Sequence, residues 1–165
     1  MYQILISEVR RRILEESFFR IRKCLSLLED DAIWWRPNEQ SNSVGNLVLH
    51  LCGNARQWML SALGGLPDTR QRQAEFDERG PVARTELLSL LDTLERELSA
   101  LLDRLGPEDL ERMYEVQGFQ ESGVAILVHV TEHVSYHTGQ ITYFVKMHTG
   151  KDTGYYAGQN LDVVA

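Results

Sequence analysis

Leu87, Leu91, Leu94, Leu98, Leu101 and Leu105 recur at alternating steps of four and three. That spacing is the seam of a helix packed against other helices at a shallow angle. Gly106-Pro107 stops it sharply. Three further segments carry the same period. The first runs from about Tyr2 to Leu28, with Ile6, Val9, Ile13, Leu14, Phe18, Ile21 and Leu25 on one stripe. The second begins near Ser43, a good N-cap, and ends at Gly64-Gly65 before Pro67. The last starts near Ser122 and stops at Gly150, with Leu127, Val130, Val134, His137, Ile141 and Phe144 as its seam. No strand pattern competes over a similar length. Four amphipathic helices predict an all-α chain, an antiparallel four-helix bundle forming one domain over residues 1–165.

Between the helices the pattern fades. Residues 66–82 form the longest candidate loop, polar and charged. The segment 107–120 contains Met113-Tyr114-Glu115-Val116-Gln117-Gly118-Phe119, which suits a short hairpin or an ordered loop. The glycine-punctuated tail after Gly150 is expected to lie along the surface.

The formal net charge of −7 gives no basic footprint for nucleic acid or anionic lipid. Arg10, Arg11 and Arg12 are the one basic run, and a solvated helix face accounts for them. No apolar stretch suits a signal peptide or a membrane span. Two cysteines, Cys24 and Cys52, make neither a disulfide framework nor a CxxC site, so they are expected to pack as small hydrophobes. A reducing cytoplasm is the expected compartment.

The histidines carry the chemistry. His50 sits in the second helix on a stripe with Leu47, Leu51, Asn54 and Trp58. His129, His133 and His137 follow at four-residue steps on the last helix. Side chains at i and i+4 stand one above the other, so two imidazoles can reach one ion. His129 and His137 are about 12 Å apart along the axis, too far to share it. The pair is therefore His129 with His133 or His133 with His137. The seam favours His133 and His137, with His50 facing them as the third ligand. Packed, hydrogen-bonded core histidines are the plain alternative. Three neutral nitrogens suit Zn²⁺, Ni²⁺, Cu²⁺ or Fe²⁺ better than Mg²⁺ or Ca²⁺. Three protein ligands leave a position open, as a catalytic site does. Glu132 and His148 read as a solvated carboxylate and a helix-end residue. Gln140, one turn after His137, is a candidate pocket or substrate-binding group.

The stretch Glu132 to Ile141, EHVSYHTGQI, resembles the last-helix motif of the DinB/YfiT-like metal-binding bundle family. Ser43 to Trp58, SVGNLVLHLCGNARQW, is similar to its second-helix motif, and Trp35-Arg36-Pro37 matches just before it. The resemblance implies an up-down-down-up bundle, a three-histidine metal site on His50, His133 and His137 with open positions, and frequently a homodimer; zinc or nickel is the expected ion. It also implies thiol-dependent transfer or isomerisation chemistry with a low-molecular-weight thiol as cosubstrate and a small-molecule substrate. Thr138 departs from the arginine often found after the second histidine of the motif. Metal-assisted hydrolysis and a non-catalytic metal- or ligand-binding role are the competing functions.

Overall fold

The computed structural model describes residues 2–164. The first long helix comprises α1 (Tyr2–Arg10), a π-helical stretch (Arg11–Ser17) and α2 (Phe18–Leu27), followed by the short α3 (Asp30–Trp34). The second comprises α4 (Val44–Ala55) and a π-helical continuation (Arg56–Leu63). After the six-residue α5 (Arg72–Asp77) comes the third long helix, α6 (Arg84–Arg104). The short α7 (Pro107–Glu111) and the strands β1 (Met113–Val116) and β2 (Phe119–Ser122) lead into α8 (Gly123–Thr149).

Side-chain contacts fix the directions. Arg10 reaches Ser99 and Asp103, and Arg22 reaches Asp92 and Glu95, so α6 runs opposite to the first helix. Arg56 pairs with Glu97, and Arg104 donates to the Gly64 carbonyl, so the second and third helices run the same way. His50 meets His133 while Asn54 meets His129, so α8 runs antiparallel to α4.

The six seam leucines, five in α6 and Leu105 just past its end, are all buried, Leu87, Leu91 and Leu98 completely. They join Phe18, Ile21, Leu25, Leu51, Met59, Ile126, Val130 and Ile141 in one hydrophobic core cluster. Truncating one of them, Leu94→Ala for example, costs about 2–5 kcal/mol. The expected caps are present. The Ser43 side chain accepts from the Asn46 amide, and Asn46 Oδ1 in turn accepts from the Ser43 amide. Ser122 caps α8 at one end, and Gly150, at φ 67°, closes it at the other.

The expected all-α four-helix bundle holds in part: four long helices are present, joined by shorter ones and by a small sheet. The chain is mostly helical, but β1 and β2 pair as an antiparallel hairpin, Met113 with Ser122 and Val116 with Phe119. Gln117 and Gly118 make its two-residue turn with φ of 52° and 81°. Both central residues at positive φ suit a primed turn, whose twist matches that of the strands. The expected loop at 66–82 contains α5, held down where Asn46 Nδ2 donates to the carbonyls of Glu75 and Glu78, both at 2.9 Å. The tail is anchored by Tyr155, whose hydroxyl lies 2.8 Å from Thr142 Oγ1 and 3.0 Å from Cys24 Sγ. Among the described residues no helix is long and apolar enough to cross a membrane.

Candidate metal centre

Helices α4 and α8 face each other across three imidazoles. Their antiparallel contact sets His50 opposite the turn that carries His133 and His137. His50 Nε2 lies 3.1 Å from His133 Nε2, which lies 3.2 Å from His137 Nε2. One nitrogen from each of the three falls within 4.8 Å of the others, a group that could hold a metal ion. The spacing suits one. Two bonds of about 2.0–2.1 Å at tetrahedral or octahedral angles place their nitrogens roughly 2.9–3.4 Å apart.

The other ring nitrogens explain why these ones converge. His50 Nδ1 is 2.9 Å from Glu75 Oε2. Arg70 Nη2, a donor only, lies 3.2 Å from the same nitrogen, but the shorter contact is to a carboxylate, which only accepts; this favours the tautomer with the proton on Nδ1 and the Nε2 lone pair turned inward. His137 Nδ1 is 2.7 Å from Gln140 Oε1, while the Gln140 amide nitrogen donates to Tyr136 Oη at 3.3 Å. That assigns His137 the same tautomer. His133 Nδ1 is buried and has no hydrogen-bond partner among the described residues.

Charge follows from burial. Desolvation, then the neighbouring His137, His50 and His129, push the His133 pKa down from 6.5 to about 3. Burial also lowers that of His137; the Gln140 hydrogen bond works against this and His50 adds to it. Both rings are thus neutral and ready to ligate at neutral pH. Burial pushes the Glu75 pKa up, but hydrogen bonds from Arg70 and His50 outweigh it, and the net shift is downward. Glu75 is therefore ionised.

Glu75 is itself gripped. Arg70 Nε donates to Oε1 at 2.7 Å and Arg70 Nη2 to Oε2 at 2.9 Å, a two-pronged pair. The Arg70 side chain is only 4% exposed and its third nitrogen donates to Gln57 Oε1 at 2.9 Å. Phe76 tilts against His50 at 4.6 Å between ring centres. Neither Arg70, Glu75 nor Phe76 stood out in the sequence. A ligand histidine calls for an acceptor on its second nitrogen, but Asp68, Glu75, Asp77 and Glu78 all offer carboxylates in that loop.

The remaining candidates fall as follows. His129 lies outside the converging group, stacked on Trp58 at 3.7 Å with its Nε2 3.4 Å from Asn54 Nδ2. Trp58 is steadied by donating to Gln117 Oε1 at 3.1 Å. Glu132 and His148 are exposed. Thr138 is buried and donates to the Val134 carbonyl, so it points into the core. Cys24 and Cys52 are buried. Beside Gln140, a cavity of about 320 Å³ is lined by Val44, Leu47 and Phe144 and by the polar Gln40, Ser41 and Asn42.

Solved structures with the same fold share this layout of helices. The chain is similar to a DinB-like protein, YjoA, from Bacillus subtilis, with a TM-score of 0.66 and 21% identity over 88% of this chain and 94% of that one. It is also similar to a DinB-like protein from Bacillus cereus, with a TM-score of 0.64 and 18% identity over 83% and 88% of the two chains. No curated protein matches it. The model of the family described as "Protein of unknown function (DUF1572)" matches residues 5–156, and the chain belongs to that family and is DinB-like in fold.

Proposed function

We propose that His50, His133 and His137 hold one divalent transition ion, zinc or nickel, which activates a low-molecular-weight thiol for attack on a small electrophile. The convergence of three imidazole Nε2 atoms, two of them 3.1 and 3.2 Å from the third, is the observation that carries this reading. A bound ion of this kind supplies Lewis acidity, which lowers the pKa of a coordinating thiol. The three histidines do the holding through neutral nitrogens. Glu75 and Gln140 orient two of the rings. The thiol proton leaves to solvent and a carbon–sulfur bond forms, while the carbon–halogen bond of a halogenated aromatic breaks with loss of halide, or the carbon–oxygen bond of an epoxide opens and its oxygen takes a proton from solvent. Glu75 is already engaged by Arg70 and His50, so it is not free to act as a base. That suits a nucleophile activated by coordination. The cavity beside Gln140, lined by Gln40, Ser41 and Asn42 as well as by Val44, Leu47 and Phe144, is the place we assign to the electrophile, with Gln140 as one of its polar contacts.

Around this centre we read the four long helices as an up-down-down-up bundle, one domain spanning residues 1–165. We further propose that it works as a homodimer in a reducing cytoplasm. Exposed Val128, Tyr136, Tyr143 and Met147 on α8 support a partner surface.

The first test is elemental analysis of untagged protein beside His133→Ala and His137→Ala. About one zinc or nickel per chain, lost in both variants with helicity kept, is the expected result. A screen of thiols against halogenated aromatics and epoxides follows. No metal in the wild type, even after incubation with zinc and nickel, would overturn the reading.

Hydrolysis is the second reading, favoured by His129. Its ring centre is 5.7 Å from that of His133, and burial lowers its pKa, leaving it neutral and able to take a proton. Turnover that survives removal of every thiol would select it. Bound metal with no turnover of either kind would leave a binding role.

A further inference from the structure

We infer that Glu75 is the positioning residue of the centre: clamped by Arg70, its carboxylate fixes the His50 tautomer and aims His50 Nε2 at His133 and His137. Three observations meet on it. The first is the shared carboxylate. Its Oε2 takes both Arg70 Nη2 and His50 Nδ1 at 2.9 Å, while Oε1 takes Arg70 Nε. An arginine–glutamate pair is complete without a histidine, so the third contact is an additional use of the carboxylate.

The second is a gap in α4. A Cβ on Gly53 would lie 2.0 Å from Glu75 Oε1 and 3.1 Å from Arg70 Nε. Only glycine lets the pair lie this close against the helix that carries His50. The third is the backbone anchor. Asn46, buried and engaged in its own capping box, holds the carbonyls of Glu75 and Glu78. One helix thus supplies the histidine, the space for the carboxylate and the anchor for its segment. An outer carboxylate on a ligand histidine typically contributes 10–100-fold in metal affinity.

The effect on zinc rests on the metal reading above; the effect on the tautomer does not. Long-range ¹H–¹⁵N correlation spectra of the metal-free protein report which His50 nitrogen is protonated. Zinc competition against a chelating dye reports affinity. Wild type is expected to show His50 protonated on Nδ1. Glu75→Ala should populate both tautomers and weaken zinc about 10–100-fold. Glu75→Gln keeps the shape without the charge; it should also mix the tautomers and weaken zinc roughly three- to tenfold. It carries the test if Glu75→Ala does not fold. A carboxylate that only braces the loop would lower Tm and leave both the tautomer and the zinc affinity alone, which would overturn the inference. Wild type that binds no zinc, but whose His50 tautomer still depends on Glu75, would sink the metal reading and leave this one standing.

Discussion

The two sides of the histidine cluster are built on different principles. On α8, His133 and His137 stand one turn apart, and helix geometry alone brings them together. Their support is thin: His137 has the exposed Gln140, and His133 Nδ1 has no partner among the described residues. On α4, His50 is 6% exposed and braced by a buried ion pair, an aromatic ring and a loop anchored to its own helix. The α8 pair is local and lightly held. The α4 histidine is held through a long excursion of chain. The difference teaches that a shared site need not share its manner of construction, and that its two sides should respond differently to change.

The largest expected effect tests what the two sides have in common. His133→Ala and His137→Ala should each weaken zinc more than 100-fold, on the order of losing one of three ligands, as read by dye competition. Loss of metal from only one of them would break the pairing. Next comes the contrast between supports. Glu75→Ala should weaken zinc about 10–100-fold and Gln140→Ala less than about tenfold, measured side by side. Equal losses would erase the distinction drawn here.

A smaller effect is expected at Gly53. Gly53→Ala places a Cβ against Glu75 and should cost about 1–3 kcal/mol by denaturant unfolding, while Gly139→Ala, where a Cβ meets nothing within 4 Å, should cost nothing and even stabilise the helix. The metal-free protein should also depend on pH. The folded pKa of His133 lies below the ordinary 6.5, at about 3. Between those values the unfolded chain binds more protons than the folded one, so stability falls as pH drops from about 6.5 toward 3 and is flat above. His133→Phe should flatten that slope in metal-free protein, and an unchanged slope would place the titration elsewhere.

What the sequence made legible follows from range. The leucine seam of α6, the Ser43 and Ser122 caps and the Gly150 stop rest on residues a few positions apart, where helix period and capping chemistry act. The four-residue steps of α8 narrowed its histidines to two pairs on the same grounds, and the seam ranked them. The π-helical stretches gave no signal, because their side chains continue the helical pattern. The strands β1 and β2 were short enough to read as hairpin or loop, and only the Gln117-Gly118 turn decides. Arg70 and Glu75 were hidden for a different reason. Their partner His50 lies 25 positions before Glu75, across a loop whose composition offers several equivalent carboxylates. A glycine inside α4 was the one hint, and it names a close approach without naming what approaches.

The burial of both cysteines has a practical meaning for chemistry at this centre. Desolvation raises the Cys52 pKa to about 12. It also raises that of Cys24, beneath Tyr155. Little of either side chain is thiolate at neutral pH, and neither is open to a reagent. Both thiols are thus poor nucleophiles in the folded protein. A thiol-selective reagent should therefore add no mass at Cys24 or Cys52, so reagent that disappears in the presence of a small thiol is not consumed by these two side chains.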